Sequence, residues 1–213
     1  MRATKRMLKK LILGSKWIIP AVVTVIVLSQ FLFIHNAAGM QAEQGILAQL
    51  NQKLIDIEHV MNDAQALQVN VLSPNVFGEA QKNFNNAKSD LAKGKDVKGI
   101  SKNLTRAEEL LAVAIKNAKE AKKQLPYAIK AREDAISAEA PGYATDLFDQ
   151  AERYFLDAMK EIEDNDINGA IKRAKEGEDR YREAELIAIK ASIIGSVHNL
   201  LKEAKDVKAD KFA

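Results

Sequence analysis

The sequence predicts an all-α protein: an N-terminal transmembrane helix followed by an elongated antiparallel helical bundle made of two helical-hairpin repeats. Three observations predict it. An uncharged apolar stretch lies near the N-terminus, apolar residues then recur at steps of three and four, and one such pattern returns 71 residues later. The predicted division is a basic cytoplasmic tail, an anchor or signal segment, a membrane-proximal helix and two hairpin repeats: 1–16, 17–37, 38–73, 74–142 and 143–213.

The predicted membrane segment runs from Trp17 to Ile34 without a charge. As a helix it spans roughly 27 Å, close to the thickness of a bilayer's hydrocarbon core. Six basic residues and no acidic residue lie in residues 1–42, and the basic residues precede the apolar stretch. This asymmetry predicts that the N-terminus is cytoplasmic and that the body lies outside, in the periplasm or beyond the cell.

A cleavable signal peptide is the alternative interpretation, and it would leave a protein secreted to the periplasm. The apolar core of a signal peptide usually has about 7–15 residues, fewer than the stretch found here. Both interpretations place the residues beyond 40 on the same side of the membrane. We expect no second span, because the apolar run near Leu186–Val197 is short and is interrupted by Lys190.

Composition excludes several classes of protein. The chain has no cysteine, which excludes disulfides, thiolate metal sites and cysteine nucleophiles. Its hydrophobic fraction of 47% is too high for a disordered chain. The pI of about 8.9 reflects the basic head, because the remaining residues carry more acidic than basic side chains. A basic nucleic-acid-binding domain is therefore not expected, and we predict no nucleic-acid partner.

The membrane-proximal segment predicts one helix that ends before Ser73-Pro74. Its apolar residues follow helical steps of three and four. They are Leu47, Leu50, Leu54, Ile57, Met61, Ala64 and Val71.

Two later stretches predict matching hairpins. In each, a helix with a phenylalanine–alanine seam is followed by a short turn and a longer, alanine-rich helix. The first pair of seams is Phe77, Ala80, Phe84, Ala87, Leu91 and Phe148, Ala151, Phe155, Ala158, Ile162. The second pair is Ile100, Leu104, Ala107, Leu111, Ala114, Ala118, Ala121 and Ala170, Ala174, Gly177, Tyr181, Ala184, Ala188, Ala191.

The turns contain residues that suit the start of a helix. Asp96 and Asp166 are predicted N-caps of the two long helices, since an aspartate side chain accepts unpaired backbone N–H groups there. Gly99 and Gly169 occupy the same place in the two turns. Their shared position indicates a backbone requirement rather than chemistry.

One motif has the composition of a metal-binding loop. Residues 164–169 match the first half of a helix–loop–helix calcium loop, with Asp164, Asp166 and Asn168 as possible ligands. The second half does not match, because Lys175 takes the place of the bidentate glutamate. A capped acidic turn is the alternative and the expected interpretation. We predict no cofactor.

No pattern of residues indicates catalysis. His35, His59 and His198 do not have the spacing of a metal site, and no nucleophile elbow, P-loop or dinucleotide-binding fingerprint occurs. The four tyrosines could line a groove, although core and hinge positions explain them as well. We therefore predict that the protein is not an enzyme.

Residues 147–190 resemble an uncharacterised alanine-rich helical domain of bacterial envelope proteins. That family often begins with a Tyr-Ala-Pro-like step, which Pro141-Gly142-Tyr143-Ala144-Thr145 and Leu72-Ser73-Pro74 echo. The similarity covers roughly residues 72–192. It implies a helical envelope protein, often preceding an OmpA-like peptidoglycan-binding domain, which these 213 residues do not contain. It supplies no catalytic residues. The hairpins are also weakly similar to tetratricopeptide repeats.

These observations predict a single-pass protein of the cytoplasmic membrane. The body would be a non-catalytic scaffold or protein-interaction module. Its partners would be membrane lipid through residues 17–34, and another protein or a second copy through the helical seams, as in a coiled coil. The alternative is a ligand- or ion-sensing ectodomain that works through a membrane partner.

Overall fold

A computed structural model describes residues 44–206, and within them the chain is helical between short turns, with no strand. The prediction of an all-α fold is confirmed. The predicted tail, the transmembrane segment 17–34 and their topology lie outside the described residues. The residues group into two compact units, Met1–Lys53 and Leu54–Ala213. The contacts described below lie in the second unit.

Eight helices follow one another in the described chain. We label them α1 to α8 in chain order. Their bounds are residues 44–66 (α1), Val69–Leu72 (α2), Pro74–Ala92 (α3), Val97–Gln124 (α4), Pro126–Ser137 (α5), Ala140–Tyr143 (α6), Thr145–Glu163 (α7) and Ile167–Asp206 (α8).

The core of the second unit consists of two helical hairpins, α3–α4 and α7–α8. Short turns join their helices, which therefore run antiparallel and bury their predicted seams against each other. All the predicted seam residues are buried except Leu91 and Ala191, which are half-buried. At Gly177, a Cβ atom would lie 3.3 Å from Cβ of Tyr154 and 3.4 Å from the carbonyl oxygen of Ala151. Alanine and glycine therefore let the helices approach closely.

The two hairpin turns have the same backbone geometry. Each contains one residue with a left-handed conformation, Gly94 (φ 63°) and Asn165 (φ 62°). The next helix is then capped as predicted: the Asp96 side chain accepts the N–H of Gly99 at 3.0 Å, and Asp166 accepts that of Gly169 at 2.9 Å. Positive φ thus occurs at Gly94 and Asn165, and not at the two glycines that the sequence singled out.

The membrane-proximal helix is shorter than predicted. It ends at residue 66, since Gln68 takes a left-handed conformation (φ 62°) that a continuous helix cannot contain. The chain then forms the single turn α2, in which Val69 and Leu72 are buried rather than Val71. A matching left-handed residue, Glu139, precedes α6 at the same distance before the second hairpin.

Two helices between the hairpins were not predicted as elements. α5 begins at Pro126, which has no N–H to lose in a first turn, and it packs against α8. Its buried residues are alanines: Ala128, Ala131 and Ala135. The long helix of each hairpin is thus contacted by further helices besides its antiparallel partner, α2 for α4 and both α5 and α6 for α8.

Candidate functional site

A polar cluster lies inside the second hairpin, where α5, α7 and α8 meet. Glu152 on α7 accepts two hydrogen bonds from Arg132 on α5, from Nε to Oε1 at 2.6 Å and from Nη2 to Oε2 at 3.3 Å. The hydroxyl of Tyr181 on α8 donates to the same Oε1 at 2.6 Å. Tyr181 is fully buried, so the carboxylate supplies the partner that its hydroxyl needs.

Aromatic rings enclose this cluster. The guanidinium of Arg132 lies 5.4 Å from the ring centre of Phe155, a cation–π distance. Phe148 and Phe155 both meet the ring of Tyr181 edge to face, with centres 5.5 and 6.3 Å apart. The cluster therefore joins three helices through both hydrogen bonds and ring contacts.

The electrostatics of the cluster favour a structural role. Burial, and then the hydrogen bond to Glu152, raise the pKa of Tyr181. Burial alone would lower the pKa of Arg132, but the hydrogen bond and charge of Glu152 outweigh it and the pKa is raised. Both groups keep their protons at neutral pH. Proton transfer is most efficient with pKa values near the working pH, so this cluster is suited to holding helices together.

A second cluster joins the two hairpins. Glu163, the last residue of α7, lies at the N-terminus of α3. Its Oε1 accepts the Ser73 hydroxyl at 2.7 Å and the backbone N–H groups of Asn75 and Val76 at 3.1 and 3.0 Å, while Oε2 accepts the Asn75 amide at 2.8 Å. A carboxylate at this position satisfies N–H groups that have no partner within the helix and matches the helix dipole. Glu163 therefore caps a helix 90 residues away along the chain.

Ser73 completes the junction. It is fully buried. Its hydroxyl donates to Glu163 and accepts from the Asn117 side chain at 3.5 Å, so α3, α4 and α7 share one polar contact. This polar group thus ties the hairpins at a defined register.

The predicted calcium-loop residues form the turn between α7 and α8. Asp164 ends α7, and its backbone N–H donates to the carbonyl of Lys160 at 2.9 Å. Asp166 uses its side chain to cap α8, and Asn168 is exposed in the first turn of that helix. Within residues 44–206, no group of three or more histidine or acidic side chains has a geometry that could hold a metal.

The other residues considered from sequence are dispersed. His59 contacts Asp63 at 3.1 Å on the exposed face of α1, and His198 is exposed on α8. His35 lies outside the described residues. Tyr127 and Tyr143 are exposed, whereas Tyr181 is in the core. The structure does not bring these side chains together.

Two open grooves lie on the surface of the second unit. One, of about 500 Å³, follows α3 and α4 beside Glu79, Arg106 and Glu109. The other, of about 430 Å³, lies between the end of α1 and α5, beside Lys122 and Glu133. Arg106 contacts both Glu79 and Glu109, at 3.5 and 3.7 Å, so charges of opposite sign already pair in the first groove. These grooves have the charged, solvated surfaces expected of exposed helix faces.

A different surface lies on the C-terminal half of α8, where large apolar side chains face solvent. We call it the α8 stripe. Its eight members are between 40% and 69% exposed. They are Leu186, Ile187, Ile189, Ile193, Ile194, Val197, Leu200 and Leu201.

The α8 stripe has no counterpart on the first hairpin. Counting back 70 residues, the offset of the buried seams, gives the matched positions on α4, and they are polar. Lysines stand opposite Leu186, Ile189 and Ile193, an asparagine opposite Ile187 and a glutamine opposite Ile194. The residues on α4 are Lys116, Asn117, Lys119, Lys123 and Gln124. Packing of a hairpin therefore does not require an apolar residue at these positions.

α8 also changes the interpretation of the apolar run near its end. From sequence we rejected Leu186–Val197 as a span because it is short. In the structure it belongs to a 40-residue helix, which among the described residues is the one long and apolar enough, by length and composition, to cross a membrane. Length therefore does not exclude it, and a single-pass protein is compatible with this helix.

The comparisons with known proteins give no relative: no protein family, no curated protein and no solved structure matches the chain. The candidate site therefore has to be judged on its own geometry. The two polar clusters were missed from sequence because their members are 20 to 90 residues apart. The α8 stripe had a visible signal, its seven-residue spacing, which is independent of any uninterrupted apolar run.

Proposed function

We propose that this protein is a membrane-anchored, non-catalytic scaffold of the bacterial envelope, with a helical body outside the cytoplasm that binds another protein. The apolar stretch 17–34 and the basic residues before it support the anchor and its orientation. The two polar clusters support a body built for rigidity, since each uses its charges to hold helices together.

The α8 stripe is the observation that carries the interaction role. Its exposed fractions correspond to roughly 800 Å² of apolar surface, above the size of the largest apolar patch on a typical monomer. Surfaces of this size normally contact a partner. The lysine-rich matched face of α4 supports this interpretation, because it is what a solvated face of the same kind of helix contains.

We further propose that the two hairpins are copies of one duplicated unit related to the alanine-rich envelope domain. α3 and α7 each have 19 residues and begin 71 residues apart. Left-handed residues precede both, and aspartate caps follow both turns. Agreement of helix bounds, turn geometry and caps supports duplication more strongly than composition does.

Membrane fractionation and protease accessibility test this proposal in cells that express the full chain. We expect the protein to resist carbonate extraction, and a protease added outside the cytoplasmic membrane to digest the body. A body that the intact membrane protects would contradict the proposed topology. A fully extractable protein would contradict the anchor and favour the secreted form.

A further inference from the structure

We propose that the α8 stripe pairs with the α8 stripe of a second copy, in parallel, so that identical residues lie level with each other. This inference rests on the proposed function, because the common anchor would give all copies one orientation. It identifies the partner that the interaction role requires. The argument proceeds from the spacing of the stripe, its position on the helix, its charges and its area.

The spacing of the stripe is that of a helix that packs along another helix. Leu186, Ile193 and Leu200 lie seven residues apart, and so do Ile187, Ile194 and Leu201. A strict seven-residue repeat keeps two apolar rows facing a helical partner over three successive repeats. A second α8 has the same repeat over the same length and therefore matches it without any mismatch of period.

The position of the stripe leaves it free to pair while the hairpin stays intact. Ala184 and Ala188 on α8 are fully buried against the bundle. At 3.6 residues per turn, the stripe lies on about the opposite side of the helix from these alanines. From Ser192 to Glu203 every residue is exposed. A second helix can thus pack along the stripe without displacing α5 or α7.

The charges around the stripe favour a protein partner over lipid. From Glu185 to Asp206 there are three acidic and three basic residues, so no net positive charge draws this segment to an anionic membrane. Crossing the bilayer would place Lys190, His198 and Asn199 in hydrocarbon, at a large energetic cost. In a parallel pair, Lys190 lies in the contact row once, and a single lysine in such a row fixes the register of two helices.

The area of the stripe matches that of a stable pair of proteins. Each copy would bury roughly 800 Å², which is the area that one partner buries in an interface of standard size. A shared anchor confines the copies to one membrane and raises their effective concentration, which favours association further.

The absence of cysteine in the sequence allows a direct test by disulfide cross-linking of the full chain in its own membranes. Single cysteines would be introduced at Ile193 and Leu200, on the stripe. Controls are Gly195→Cys, on the other side of α8 with no atom within 4 Å of the added Cβ, and Lys123→Cys, at the position on α4 that matches Ile193. After mild oxidation, we expect about tenfold more dimer at Ile193 and Leu200 than at the controls, since a disulfide requires Cα atoms within about 7 Å.

A second variant keeps the test informative if a single cysteine disturbs pairing. Ile187→Asn, Ile193→Lys and Ile194→Gln, introduced together, give α8 the residues that α4 carries at matched positions. Because all three side chains are exposed, the hairpin should fold, which circular dichroism would check. We expect the Leu200→Cys dimer to be lost in this background. Unchanged dimer, or equal cross-linking at stripe and control positions, would overturn the proposal.

The same samples separate this inference from the proposed function. Fractionation reports whether the protein is anchored, and the cross-linked band reports whether it pairs. Anchored protein without stripe-specific dimer would contradict pairing alone. Soluble protein with stripe-specific dimer would contradict the anchor and leave the pairing supported.

Discussion

The two hairpins have the same framework and different chemistry at matched positions. In both, a 19-residue helix packs on a longer one through phenylalanine and alanine. At the level of the polar cluster, however, Arg132, Glu152 and Tyr181 in the second hairpin correspond by their offsets to methionine, glutamine and leucine in the first. The residues there are Met61, Gln81 and Leu111.

The outer faces of the long helices differ as well. The face of α4 is polar where α8 has its stripe, although both helices bury the same kind of seam. The difference teaches that the seam determines the hairpin and leaves the remaining positions free to acquire other roles. Positions that differ between the hairpins are therefore the ones to examine for function, and positions that agree are the ones to examine for folding.

The largest expected effect comes from removing Glu152. Glu152→Ala leaves Arg132 and the buried Tyr181 hydroxyl without their acceptor, and we expect it to lower the free energy of unfolding by about 2–3 kcal/mol. Gln81→Ala, at the matched exposed position in the first hairpin, should change it by less than about 0.5 kcal/mol. Urea unfolding of the two variants measures the difference. Equal effects would mean that the cluster contributes nothing particular to the second hairpin.

Exchanging the whole cluster should cost less than breaking it. Arg132→Met, Glu152→Gln and Tyr181→Leu together give the second hairpin the residues of the first. Replacing a buried ion pair by apolar residues is often neutral, so we expect the triple variant to lie within about 1 kcal/mol of the parent. A triple variant less stable than Glu152→Ala would show that the two frameworks are not equivalent.

Removing the cap at the junction should have the next largest effect. Glu163→Ala leaves the Ser73 hydroxyl and two N–H groups of α3 without an acceptor, and we expect a loss of about 1–2 kcal/mol. The matched residue in the first hairpin is already alanine, Ala92. Glu161→Ala, on the same helix, serves as the control. A thermal melt in which both variants behave alike would contradict the capping role.

The two turn glycines should respond differently to alanine. At Gly99, a Cβ atom would lie 3.8 Å from the Asp96 carboxylate, an ordinary contact, so Gly99→Ala should raise stability by about 0.5 kcal/mol through helix propensity. At Gly169, the same atom would lie 2.5 Å from the Asp166 carboxylate and disturb the cap. We expect Gly169→Ala to be neutral or destabilising. A gain in melting temperature equal to that of Gly99→Ala would contradict the geometry.

The smallest effect concerns pH. Hydrogen bonds from Lys130 and then from Arg182 hold the pKa of Asp134 below its usual value. A lowered pKa in the folded state stabilises the fold above the unfolded pKa, and this contribution is lost as the pH falls through the folded pKa. We expect Asp134→Asn to flatten the acid limb of the stability curve slightly. An acid limb identical to that of the parent would mean that these exposed pairs contribute nothing.

The sequence predicted what depends on periodicity and on local hydrogen bonds. The seams at Phe84 and Phe155 are buried as expected, and the caps at Asp96 and Asp166 form, because each depends on residues a few positions apart. The end of α1 was missed because it depends on a glutamine in a left-handed conformation, which no local residue preference indicates.

The candidate surfaces were harder to predict for a physical reason. Arg132 and Glu163 are charged residues on helices, and such residues usually face solvent, so their partners became visible only once distant helices were packed together. The α8 stripe was rejected because an unbroken apolar run was sought. Its signal is a face of a helix, in which Lys190 interrupts the sequence without interrupting the seven-residue rows.

Accessibility of the stripe in the intact membrane tests the central claim most directly. Single-cysteine variants of the full chain at Ile193 and at the matched Lys123 would be treated with a membrane-impermeant maleimide from outside the cytoplasmic membrane. An exposed body with paired stripes predicts rapid labelling of Lys123→Cys and labelling of Ile193→Cys that is several times slower. Equal, rapid labelling of both cysteines would show that the stripe faces water in the cell, and this would contradict the claim that it contacts a partner.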